Sequence, residues 1–114
     1  MISEEQLVQE FTTVVDRFFP RAGELLHHCS VKIIKYYCGR PRQLFQYIGI
    51  YCPQHLLVSV EDHKSAYREI AQNMGLSEVV CMNATRLVRD PMSKLKQEDQ
   101  RLWLELHWIV SQET

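Results

Sequence analysis

Cys52-Pro-Gln-His55 places a thiol and an imidazole at the spacing of half a zinc site, and His28, Cys29 or Cys38 could complete a ligand set. Cys29-x8-Cys38 matches no common zinc knuckle, and Cys29 falls on the apolar face of a helical pattern, so reduced and idle thiols are the expectation. Cys38 lies near Lys35 and Arg40, two cations that favour a thiolate, but no base pairs with it. Glu61-Asp62 and Glu98-Asp99 are adjacent carboxylates that point apart on a helix, which makes them solvated faces rather than acid–base couples. A glycine-rich phosphate loop, Gly-x-Ser-x-Gly and His-Glu-x-x-His are all absent from the sequence. The chain therefore reads as a non-enzyme with no cofactor and no assigned metal site. The remaining chemistry is recognition. Asn83 has the amide to bond adenine twice, and Arg86 has the fork to bond guanine.

Those two residues need a helix in a groove, and the preceding stretch supplies the pattern of a helix-turn-helix. In Ile70-Ala71-x-x-x-Gly75-Leu76-Ser77, Ala71 permits close helix crossing and Gly75 offers the positive φ of a turn. Leu76 would plug the angle between the helices, and Ser77 would cap the second one. Cys81 and Ala84 then face inward. The unit spans about residues 62–89, with its second helix from Ser77 to Arg89.

Charge is uneven along the chain. Residues 25–60 contain Lys32, Lys35, Arg40 and Arg42 and no acid, flanked by His27, His28 and His55, whereas both flanking segments are net acidic. The whole chain sums to −1, too little for nonspecific coating of nucleic acid, but the local patch could hold a phosphate backbone. At 114 residues and 46% apolar content the chain fits one domain that needs no disulfides. No run approaches the roughly 18 apolar residues of a membrane span, and Met-Ile-Ser-Glu-Glu-Gln lacks the features of a secretory signal. A cytoplasmic protein is expected.

Helical periodicity dominates. Ser3-x-x-Gln6 reads as a capping box ahead of a stripe of Leu7, Val8, Phe11, Val14, Val15 and Phe18. Pro20 ends that helix or opens the next, whose stripe is Ala22, Leu25, Leu26, Cys29, Ile33, Tyr36 and Tyr37, stopped by Gly39 and Pro41. Residues 42–52 have strand propensity, but alternation fails at Leu44/Phe45 and Gly49, and the helical face of Leu44, Phe45, Ile48, Tyr51 and Cys52 predicts a helix. Residues 55–60 could form one short strand. Ser59-x-x-Asp62 opens a helix to Gly75, and Asp90-Pro91 opens a last helix carrying Met92, Leu95, Leu102, Leu106, Ile109 and Val110 inward.

From Tyr36-Tyr37 through Arg40-Pro41-Arg42-Gln43-Leu44 to Glu69-Ile70-Ala71-x-x-x-Gly75 and Ala84, the sequence resembles the C-terminal DNA-binding domain of the bacterial replication initiator DnaA. The tail from Asp90 to Ile109 is similar to the end of the Trp repressor. The resemblance implies that Arg40 and Arg42 touch the minor groove or phosphates, while Ser77, Glu78, Met82, Asn83 and Arg86 face base edges. The initiator's Asp-His-Thr-Thr signature is here Ser77-Glu78-Val79-Val80.

The sequence thus predicts an all-α bundle of five to six helices, one domain over 1–114, and a small DNA-binding regulator that contacts double-stranded DNA. Two other functions fit. One is a helical adaptor for a protein partner, with Trp103 and Trp108 on a flank of the last helix as contact residues and a homodimer as one form of it. The other is a small domain stabilised by zinc through Cys52 and His55.

Overall fold

The computed structural model describes residues 2–112. Ser3 and Gln6 do form the capping box. The Ser3 hydroxyl accepts from the Gln6 amide at 3.1 Å and the Gln6 side chain accepts from the Ser3 amide at 2.8 Å. From there α1 runs Glu4–Phe18 and buries Phe11 and Val15. Pro20, at the first position of α2 (Pro20–Leu26), separates the two helices.

The expected all-α bundle is not what forms. Three strands, β1 (Ser30–Cys38), β2 (Gln43–Cys52) and β3 (Val79–Asn83), make one sheet in the order β1-β2-β3. β1 and β2 are an antiparallel hairpin with Ile33 opposite Ile48. β3 lies parallel to β2, with Val79 opposite Ile48 and Asn83 opposite Cys52. The connection from β2 to β3 contains a 3-10 turn (Gln54–Leu56), α3 (Leu57–Asp62) and α4 (Lys64–Asn73). After β3 come α5 (Ala84–Arg89), α6 (Leu95–Glu98) and α7 (Gln100–Ser111).

The helical stripe read over 22–37 is therefore a short helix followed by a strand, and residues 42–52 are the central strand. β-branched and aromatic side chains, Val31, Ile33, Ile34, Tyr36 and Tyr37, win over the coincidental helical spacing. Alternation fails at Gly49 because both faces of the sheet are covered at that end, so Ile48 to Cys52 are all buried, whereas at Leu44/Phe45 the hairpin projects past β3 and Leu44 stays exposed. One face, Val31, Ile33, Ile48, Ile50, Cys52, Val79 and Cys81, packs on α1 to α4 with Phe11, Val15, Leu26, Val60, Tyr67 and Ile70. The other face offers Tyr51 and Met82 to Ala84, Leu106 and Val110 of α5 and α7. Residues 55–60, which the sequence allows as a short strand or an extended connection, are helical.

The helix-turn-helix is also corrected. Its first half stands. α4 ends at Asn73, and Gly75 takes φ +84° as a turn residue must. Its second half does not exist as a helix, because Val79–Asn83 enter the sheet and only Ala84–Arg89 are helical. Two adjacent β-branched residues, Val79 and Val80, favour the strand, and a free edge of β2 receives it. Asp90 accepts from the Met92 amide at 2.9 Å in a turn, and the last helical run breaks into α6 and α7 at Asp99, which caps Leu102.

No helix among the described residues is long and apolar enough to cross a membrane.

Candidate functional site

The residues assigned to DNA do not form one surface. Arg40 and Arg42 sit at the exposed hairpin tip around a cis Arg40-Pro41 bond, with the Arg42 guanidinium 5.1 Å over the Tyr37 ring. Ser77 ties the chain to β2, its amide and hydroxyl both donating to the Gln46 carbonyl at 2.8 and 3.0 Å. Glu78 accepts from Arg68 at 2.8 Å and from the Val79 amide at 3.0 Å, and those two bonds, the amide first, hold its carboxyl below the ordinary carboxylate range. Met82 packs under α5 and α7. Asn83 caps α5, accepting from the Arg86 amide at 3.0 Å, and the Arg86 side chain is exposed beyond it. Asn83 stands opposite Cys52, ten residues along β2 from Arg42. At about 3.3 Å per residue that separates them by roughly 30 Å. The hairpin-tip arginines and residues 77–86 therefore lie on separate parts of the surface rather than on one patch.

The hairpin tip itself is a stiff projection. β3 pairs with β2 only from Ile48 onward, so the distal half of the hairpin extends past the sheet. Tyr36 stacks on Phe45 at 5.3 Å and leans on Tyr47 at 5.7 Å, a cross-strand ladder that braces it. Two of the four basic side chains are already paired, Lys35 with Glu4 at 2.8 Å and Lys32 with Glu105 at 2.7 Å.

The zinc arrangement does not assemble around Cys52. Its thiol is buried and donates to the Met82 carbonyl at 3.5 Å, and a hydrogen bond with Cys29, together with burial, pushes its pKa up. Among the described residues, no group of three or more His, Cys, Asp or Glu is placed to hold a metal ion. His27, His28 and His55 do line one small cleft beside Trp108, and His27 is within 3.2 Å of Asp16.

Of the two tryptophans, Trp103 is half-buried by its own surroundings. It stacks on His107 at 5.0 Å, with the Lys96 ammonium 5.0 Å over its ring. Trp108 is 68% exposed and Leu104, one turn earlier, is 54% exposed. This pair borders a shallow open cleft of about 650 Å³ with His27, Cys29, Ser30 and Ile109. Spacing five apart puts the tryptophans on different sides of α7, so the useful neighbour of Trp108 is Leu104.

A second concavity, about 520 Å³, adjoins the first at Glu105. Its floor is β1 from Val31 to Ile34. One wall is the start of α1, with Glu4, Glu5 and Val8, and the other is the start of α7, with Asp99, Leu102 and Glu105. This concavity was not legible in the sequence, because residues 30–38 read as helix. The run of β-branched and aromatic residues Val31, Ile33, Ile34, Tyr36 and Tyr37 was the available signal for the strand that floors it. No protein-family model matches the chain, nor does any curated protein or solved structure.

Proposed function

We propose that the chain is a small non-enzymatic regulatory module that binds a protein partner, with the Leu104–Trp108 ridge of α7 as its anchor. The observation that carries this reading is the exposure of those two large apolar side chains one turn apart beside an open cleft. An exposed tryptophan with a leucine next to it is the composition of an interface hot spot, and burying the pair against a partner would remove their apolar surface from water. Trp103, clamped between Lys96 and His107, supports α7 from its flank. The free thiols of Cys29, Cys38, Cys52 and Cys81 suit a reducing, cytoplasmic compartment. The test is site-specific photo-crosslinking in the native host. A photoreactive residue at Leu104 or Trp108 is expected to capture a discrete protein that the same residue at exposed Glu69 does not. Equal capture at all three positions would overturn the reading.

A second reading rests on the hairpin tip, where Arg40 and Arg42 project with no acid between residues 25 and 60. A braced β-arm with arginines beside a proline suits the minor groove of duplex DNA. With Lys32 and Lys35 already paired, about two phosphates are within its means, so affinity should fall with log[salt] at a slope near −2. Filter binding to a random duplex at low salt tests it. A slope unchanged in Arg40→Ala/Arg42→Ala would overturn it.

A further inference from the structure

β1 is an edge strand nine residues long, and the hydrogen bonds of β2 reveal which of its backbone groups are spare. The Ile48 amide donates to the Glu78 carbonyl at 2.9 Å, so Ile48 turns its backbone groups toward β3. Ile33 stands opposite Ile48. In an antiparallel ladder such a pair faces away from each other, so Ile33 turns its amide and carbonyl outward. Period two extends this to Val31, Lys35 and Tyr37. Among the described residues, no backbone or side-chain group bonds to these outward amides and carbonyls. A row of unpaired backbone groups is a template for another strand.

The same edge lies in the cleft between the starts of α1 and α7. Four carboxylates line it, Glu4, Glu5, Asp99 and Glu105, of which Glu4 is paired with Lys35 and Glu105 with Lys32, and Arg101 is the other cation of the lining. At its Val31 end the cleft shares Glu105 with the one bordered by Leu104 and Trp108, and the Glu105 carboxylate between them accepts from the Ser30 hydroxyl at 3.2 Å and pairs with Lys32 at 2.7 Å. Backbone valences, acidic walls and an apolar end site thus follow one another along β1, with Glu105 between the last two. We infer that β1 receives an extended basic segment of the partner protein as an added strand, its cations toward Glu5 and Asp99 and an apolar residue against Leu104 and Trp108. This deepens the partner-binding reading and rests on it. A second copy of the chain fits less well. Antiparallel pairing of two β1 strands would set Glu4 and Glu5 against their own counterparts, and like charges there repel.

The probe is an end-blocked, fluorescein-labelled peptide, Lys-Val-Lys-Val-Lys-Val-Lys, titrated into the full chain with anisotropy and amide hydrogen exchange as readouts. Saturable one-to-one binding is expected, with slowed exchange at Val31, Ile33, Lys35 and Tyr37. A peptide with Glu for each Lys, or one N-methylated at alternate amides, should bind at least tenfold more weakly. The protein variant Glu5→Lys/Asp99→Asn, in which the asparagine oxygen can still cap Leu102, should lose at least tenfold while its circular dichroism stays that of the parent. Equal binding of the N-methylated peptide, no added protection along β1, or concentration-dependent protection without peptide, which means self-pairing, would each overturn the inference. If the peptide fails while crosslinking at Trp108 succeeds, the strand-addition mode falls and partner binding stands. If crosslinking fails too, both fall.

Discussion

Tyr67 of α4 donates its hydroxyl to the Ala22 carbonyl of α2 at 2.8 Å, and both residues are fully buried. The bond joins segments 45 residues apart, and the ring lies 6.4 Å from that of Phe11. Burial raises the pKa of this phenol, which keeps it a donor. Tyr67→Phe preserves the packing but leaves the Ala22 carbonyl without its partner. The expected cost is about 1–2 kcal/mol, read from the urea midpoint at unchanged slope.

Two glycines should respond to alanine for different reasons. A Cβ at Gly49 would lie 2.6 Å from the Ile34 Cδ1 and 2.9 Å from the Met82 Cε, the tips of two side chains that meet over the central strand. Gly49→Ala should cost roughly 1–3 kcal/mol, and part of that should return in an Ile34→Val background that makes room. At Gly75 no atom lies within 4 Å of the added carbon, but φ is +84°. Gly75→Ala should cost about 1–2 kcal/mol, and Gly75→Val roughly 1–3 kcal/mol, with no relief from any neighbour.

Features that depend on a few adjacent residues were legible in the sequence, and those that depend on what covers a segment were not. The Ser3/Gln6 box, the Pro20 break, the α4 stripe of Tyr67, Ile70 and Ala71 and the Gly75 turn all follow from local chemistry. β2 was misread as helix because α4 lies under one face and α7 over the other, which erases the alternation that identifies a strand. With β2 lost, its partners went too, and Val79 to Asn83 took the helical reading of the preceding turn. The exposure of Trp108 is legible in the sequence because it falls off the inward stripe of its helix. The β1 edge was hidden, because a spare backbone group has no sequence signature.

Acid should expose the link between α4 and the start of β3. Glu78 is held below its ordinary pKa by the Val79 amide and then by Arg68. A carboxylate depressed in the fold contributes stability above its unfolded pKa of about 4.3, and that stability is lost as pH falls through the lower folded value. The parent should therefore lose stability faster than Glu78→Gln below about pH 4.3, while near pH 7 the variant is the less stable of the two. Parallel stability–pH curves from urea titrations would show that the contact contributes nothing.

The four thiols should separate cleanly under labelling. Cys38 is exposed at the hairpin turn, Cys29 is half-buried and donates to the Leu25 carbonyl at 3.3 Å, and Cys52 is fully buried. Burial pushes Cys81 up to about 11. At pH 8 such a thiol is ionised to about one part in a thousand, and the thiolate is the reacting form. Iodoacetamide on the folded protein at pH 8 should therefore modify Cys38 rapidly and the other three slowly, whereas in urea all four should react alike. Mass spectrometry of timed digests counts them. Rapid native labelling of Cys81 would place β3 outside the sheet, and with it the strand pairing that orients the backbone of β1.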